Sequence, residues 1–156
     1  MLSDGLKKEI EGLLKKYHTR RSAVMPALDL AQRENGGSLT ADDMREVAGI
    51  LGINPVVTNE ITGFYTMYNV EKPMGRHHVQ VCANLPCSLM GADHIIAHLE
   101  RVLQIKAGQT THDKKFTLSK VECLGSCGTA PMMQINDDYY ENLDERKIDE
   151  ILKKLE

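Results

Sequence analysis

Four cysteines are the residues of this chain whose type and spacing could do chemistry: Cys82 and Cys87 in VCANLPCSLMG, Cys123 and Cys127 in VECLGSCGTAPMMQIND. The pattern is C-x4-C, a gap of 35 residues, then C-x3-C. Thiols in two close pairs have three uses. They can hold a [2Fe–2S] cluster, which takes four cysteine thiolates, so that each close pair would serve one iron. They can hold a structural zinc, which usually sits on tight C-x2-C knuckles that neither pair has. Or they can work as a redox dithiol or as disulfides, although the thioredoxin-type C-x-x-C is absent. The spacing favours the cluster and leaves zinc and redox use open. Gly125 and Gly128 flank Cys127. Glycine lets a backbone bend sharply near a ligand and leaves N–H groups free to point at sulfur, while turn-making alone is its commonest role.

The elements that must position these thiols change character along the chain. The N-terminal part reads as helices. Leu2, Leu6, Ile10, Leu13, Leu14 and Tyr17 recur at helical spacing. Ser22 to Glu34 is a second helical pattern with Pro26 in its first turn, stopped by Asn35-Gly36-Gly37. Thr40 with Asp43 resembles an N-terminal cap for a third helix ending near Gly52. Asn54-Pro55 caps a fourth, expected to reach about Tyr68. Asn69 to Arg76 is a turn-rich linker. Beyond it, HHVQVC alternates as a strand, and Cys87 to about Leu103 suggests one helix with Leu89, Ile95, Ile96, Leu99, Val102 and Leu103 as apolar positions. FTLSKVEC, PMMQIND and DYYENL read as three more strands, the last two joined by an Asn136-Asp137-Asp138 turn, and DERKIDEILKKLE closes the chain as a helix. Strands on either side of a helix favour a right-handed crossover and a parallel pair. Cys82 and Cys123 then end neighbouring strands, with Cys87 and Cys127 in the loops that follow. All four thiols meet at one edge of the sheet, where ligands commonly bind.

Composition removes several other classes. A chain of 156 residues can bury a core without needing disulfides. A net charge of −3 gives no electrostatic case for nucleic acid or an anionic membrane, and no apolar run approaches a membrane span. Neither a secretory peptide nor a mitochondrial presequence is legible, which predicts a cytoplasmic protein with reduced thiols. There is no G-x-G-x-x-G opening a helix and no P-loop, so no NADH site and no FMN site are expected on this chain.

VCANLPCSLMG, VECLGSCGTAPMMQINDDYY, and FYTMY with the following P-x-G-R closely resemble the thioredoxin-like [2Fe–2S] ferredoxin subunit of NADH dehydrogenase modules. That family serves respiratory complex I, NAD-dependent hydrogenases (electron-bifurcating ones included) and formate dehydrogenases. The resemblance runs from the helix around Pro26 to the terminal helix. It implies an α+β chain: an N-terminal helical segment, 1–74, followed by a thioredoxin-like α/β domain, 75–156, carrying a [2Fe–2S] cluster on Cys82, Cys87, Cys123 and Cys127. It implies an electron-transfer subunit with no catalytic residue of its own, beside a flavoprotein partner that carries FMN and the NADH site, and with further iron–sulfur subunits in the complex. A structural zinc interaction module built on the same four cysteines is the reading from another class.

The remaining candidates have plainer expectations. His94 and His98 are read as partly exposed helix residues and His77 and His78 as surface or edge residues, not as metal ligands. Met132 and Met133 are expected to fill core space behind the second cysteine pair, with shielding of a cluster as the minor alternative. Lys7, Lys8, Lys15 and Lys16 are expected on a solvated face, and Phe64 and Tyr65 either dock a partner or anchor the helical segment.

Overall fold

A computed structural model describes residues 1–155, and the chain falls into two units, Met1–Pro73 and Met74–Glu156. The first is helical: α1 (Asp4–Leu13), a 3-10 turn (Arg21–Ala23), α2 (Val24–Glu34), α3 (Ala41–Leu51) and α4 (Pro55–Phe64). Leu6, Ile10 and Leu13 of α1, with Leu2 before it, bury against Val24, Ala27, Leu28 and Ala31 of α2 and Met44, Val47 and Leu51 of α3. Tyr17 does not extend this stripe. The chain tightens after Leu13 into i→i−3 bonds, such as Lys16 N–H to Leu13 O at 2.9 Å, and Tyr17 is left exposed. Lys7 is ion-paired with Glu46 at 2.8 Å, while Lys8, Lys15 and Lys16 are exposed as expected.

Helix starts follow the local signals. Thr40 Oγ1 accepts from Asp43 N–H, and Asp43 Oδ2 accepts from Thr40 N–H at 2.9 Å, so an aspartate closes the capping box. Asn54 Oδ1 accepts from Val56 N–H at 2.9 Å ahead of Pro55. The end of α4 departs from expectation: it stops at Phe64, not near Tyr68. A turn there carries the Tyr68 ring into the core, where its hydroxyl donates to Met25 O at 3.0 Å, and lets Val70 form a parallel bridge with Leu39. A continuing helix would make neither contact.

The second unit contains β1 (His77–Cys82), α5 (Leu85–Leu89), α6 (Ala92–Leu103), β2 (Phe116–Val121), β3 (Met133–Ile135), β4 (Asp138–Tyr140) and α7 (Glu145–Lys154). The sheet order is β2-β1-β3-β4, with β1 and β2 parallel and the other pairs antiparallel. Val79 and Val81, Phe116 and Leu118, and Met133 and Ile135 share one face by the two-residue pleat. Ile95, Ile96 and Leu99 of α6 and Ile148 and Ile151 of α7 close that face into one core. Asn136, in the β3–β4 turn with φ 54°, accepts from His78 N–H through its side chain at 2.9 Å.

The single helix expected from Cys87 to Leu103 is two helices. Gly91, with φ 98°, sits between them in a left-handed conformation that a β-carbon disfavours. The break takes Leu89 off the core stripe and leaves it 77% exposed, and Val102 is also exposed. His77 and His78 are not at an edge: β1 has a strand on each side, and both rings are half-buried. His78 Nε2 lies 2.8 Å from Ser119 Oγ, and burial pushes the imidazole down to about 4.

This packing sets two expected outcomes. A β-carbon at Gly75 would meet Phe116 C at 2.6 Å and Thr117 N at 2.9 Å, both backbone atoms, so Gly75→Ala should destabilise this unit by about 1–3 kcal/mol in urea denaturation. His78 is neutral in the fold, whereas the unfolded imidazole titrates near 6.5 and binds its proton first as the pH falls. Its contribution to stability is therefore complete above about pH 6.5 and lost on the way down to about pH 4, and His78→Gln should flatten the stability–pH profile in that window.

Candidate functional site

The parallel pairing of β1 with β2, in register from His77↔Phe116 to Cys82↔Val121, brings both strand ends to one edge. Cys82 is the last residue of β1 and 2% exposed. Cys87 is 1% exposed and lies within α5, not in the loop before a helix. Asn84 starts α5 with its side chain accepting from Leu85 N–H at 2.7 Å, and Ala92, Ala130 and Met132 pack around the two buried thiols. Cys123 lies beyond the end of β2, and Cys127 opens a 3-10 turn, Cys127–Thr129; both are exposed.

The thiols are neighbours. Cys82 is within hydrogen-bonding reach of Cys87 and of Cys123, and the charge of Cys127 acts on Cys87. Among the described residues no group of three or more His, Cys, Asp and Glu side chains is drawn together tightly enough to hold a metal ion as it stands, so the four thiols adjoin without forming a closed cage.

Backbone N–H groups are directed at these sulfurs. Burial pushes the Cys82 thiol up, but hydrogen bonds from the backbone of Asn84 and Leu124 and those with Cys87 and Cys123 outweigh it, leaving Cys82 below the ordinary thiol range. For Cys87 burial dominates. The hydrogen bond with Cys82 and that residue's charge add to it, Met132 N–H opposes, and the thiol is pushed up to about 11. Gly125, at φ 78°, turns its N–H onto Cys123 Sγ at 3.4 Å. Four sulfur donors, three of them met by backbone N–H groups, suit an anionic thiolate centre. Burial holds Cys87 protonated at neutral pH, and a bound cation would favour its thiolate.

Several residues of the site escape a reading of the sequence. Asn84 carries a legible signal, an Asn two positions before a Pro at a helix start. Glu141, just past β4, accepts from both Ser126 and Thr129 on the Cys127 loop, and Tyr139 OH donates to Leu124 O at 2.7 Å. No local signal links these residues, because the partners are distant in sequence. The hydrogen bonds hold Glu141 below the usual carboxylate range, with Ser126 the largest cause and Thr129 next.

The histidines stand apart from the cysteines. His94 is exposed, but His98 is 6% exposed, not the partly exposed residue expected. Its Nε2 lies 2.8 Å from Asp149 Oδ1 and its Nδ1 3.1 Å from Glu145 Oε1, ties that join α6 to α7. Met132 packs beside Cys82 and Cys87, and Met133 belongs to the main core.

The family model for thioredoxin-like [2Fe–2S] ferredoxin matches residues 10–156. The chain belongs to this family. Among curated relatives of this ferredoxin, an NADH-quinone oxidoreductase subunit of Rickettsia conorii is 47% identical over 148 residues, covering 94% of this chain and 88% of that protein. An NADH-quinone oxidoreductase subunit of Rhizobium meliloti is 47% identical, covering 95% and 87%. In fold, the ferredoxin matches part of an NAD+-reducing [NiFe]-hydrogenase in the air-oxidised state, with a TM-score of 0.68, 22% identity, 80% of this chain covered and 22% of that one. Among the described residues, no helix is long and apolar enough to cross a membrane.

The split in exposure predicts an order of reactivity. In the metal-free, reduced chain, mass-spectrometric mapping of iodoacetamide labelling should find Cys123 and Cys127 modified at least about tenfold faster than Cys82 and Cys87, since accessibility gates attack.

Proposed function

We propose that this chain is the electron-transfer subunit of an NADH-quinone oxidoreductase and holds one [2Fe–2S] cluster on Cys82, Cys87, Cys123 and Cys127. The observation that supports the reading is that the parallel strands β1 and β2 bring the two cysteine loops out side by side, with N–H groups aimed at the sulfurs of Cys82, Cys87 and Cys123. Two curated relatives at 47% identity across nearly their whole length are subunits of that oxidoreductase. When bound, the cluster supplies a one-electron store beside a flavin that receives electrons in pairs.

The chain's own residues do the holding. Cys82 and Cys87 give a buried, rigid half, and Cys123 and Cys127 an exposed half that faces outward. Asn84, Leu124, Gly125 and Met132 donate backbone N–H groups that stabilise sulfur in its anionic form. We assign NADH and FMN to a flavoprotein partner, because no dinucleotide-binding glycine fingerprint opens a helix in this sequence. Further iron–sulfur subunits complete the complex, and the chain works in the cytoplasm, meeting the membrane only through it. A second reading, the same subunit in an NAD-dependent hydrogenase, is motivated by the likeness in fold to the [NiFe]-hydrogenase chain. A co-purifying hydrogenase subunit would select it.

Low-temperature EPR of the anaerobic, dithionite-reduced protein tests the assignment. A spin-½ signal integrating to about one spin per chain is expected. Cys127→Ala in the assembled complex should lose one reducible centre. A silent spectrum with stoichiometric zinc, after attempted cluster reconstitution, would place the thiols in a structural site.

A further inference from the structure

Half of the cluster site stands on regular structure and half does not. Cys82 ends a strand and Cys87 lies in a helix, whereas Cys123 and Cys127 lie on an exposed loop whose regular structure is the turn Cys127–Thr129. Something other than a backbone ladder must hold that loop.

Two hydroxyls bracket Cys127. Ser126 precedes it and Thr129 closes the turn, with Thr129 N–H donating to Ser126 O at 3.2 Å. Their hydroxyl oxygens are 2.8 Å apart, and both are within reach of the same acceptor, Glu141 Oε1. Thr129 Oγ1 donates to it at 2.6 Å and Ser126 Oγ through a short hydrogen bond. Glu141 is itself held in place. Asn142 N–H donates to Thr129 O at 2.8 Å, and Lys147 Nζ donates to Glu141 O at 2.6 Å.

The chemistry of this clamp has a consequence beyond mechanical support. A carboxylate accepts and cannot donate, and each hydroxyl has one proton. Thr129 Oγ1 also lies 3.2 Å from Ser126 O, and with its own proton on Glu141 the Ser126 hydroxyl has none to offer a cysteine sulfur. The carboxylate also places a negative charge on the turn that carries Cys127, partly offset by the Lys147 ammonium. Hydrogen bonds to sulfur and nearby charge are the protein's means of tuning a cluster potential. Both effects here disfavour adding an electron.

We propose that Glu141 is a positioning residue for the cluster: it clamps the Ser126–Thr129 turn that presents Cys127, and it holds the reduction potential down. Glu141 plays this part only if the four cysteines hold the cluster as assigned above.

Wild type, Glu141→Gln and Glu141→Ala, as full-length chains reconstituted in parallel, test it by spin count, EPR-monitored redox titration and the rate of bleaching in excess chelator. Glutamine can still accept through its carbonyl but carries no charge. Glu141→Gln should keep a wild-type spin count and titrate at a more positive potential. Glu141→Ala should shift the same way and lose its cluster about tenfold faster, having lost two charge-assisted hydrogen bonds. A wild-type potential in Glu141→Gln overturns the proposal, since a purely structural clamp would leave the potential unmoved. A wild-type bleaching rate in Glu141→Ala overturns it too. If Glu141→Ala does not fold by circular dichroism, Glu141→Gln decides. A wild-type protein that takes up no cluster overturns the ligand assignment instead, and the role of Glu141 with it.

Discussion

The site depends on the parallel register of β1 and β2. Cys82 pairs with Val121, so the loops that leave the two strands emerge side by side. Had the pair been antiparallel, the two cysteine loops would sit at opposite ends of a six-residue strand, about 20 Å apart, beyond any shared ligand. The crossover through α5 and α6 makes the parallel arrangement possible, and the core that α6 and α7 form with the sheet holds it. Gly75 adds a constraint just before β1, where the chain runs so close to the β2 backbone that no side chain fits.

From that edge outward the two halves of the site are built by different means. The first pair of thiols is buried among Ala92, Ala130 and Met132, and burial acts on both in the same direction. Cys87 is held above the ordinary thiol range because burial, joined by the hydrogen bond with Cys82 and its charge, outweighs Met132 N–H, whereas Cys82 lies below it because N–H donors and neighbouring thiols outweigh burial. The second pair is exposed and is placed by side chains reaching across from β4 and just beyond it, Tyr139 to Leu124 and Glu141 to Ser126 and Thr129. One half is thus rigid through packing and the other through polar contacts.

The helical unit follows its own local rules. Helices α1, α3 and α4 begin where capping side chains satisfy the free N–H groups, at Ser3, Thr40 and Asn54, whereas α2 follows the 3-10 turn with no capping side chain. Asp43 is buried, yet its carboxylate accepts from Thr40 N–H, Thr40 Oγ1 and Asn35 Nδ2, so the cost of burying it is offset within the loop it organises.

Features that depend on near neighbours along the chain are written in the amino-acid order. The capping box at Thr40, the Asn54-Pro55 start, the alternation of HHVQVC and the stripe of the terminal helix each carry their signal within a few residues, and each stands where it was expected. Other features have partners far away in sequence, and packing alone fixes them. Helix α4 ends at Phe64 because Tyr68 and Val70 bond to Met25 and Leu39. His98 is buried because α7 brings Asp149 and Glu145 to it. Glu141 joins the cysteine site because β4 returns beside the Cys127 loop. Even the break at Gly91 was masked, since Leu89, Ile95, Ile96 and Leu99 keep helical spacing across it. Periodicity reports which residues one helix could bury, and only the packed chain selects which of them it does.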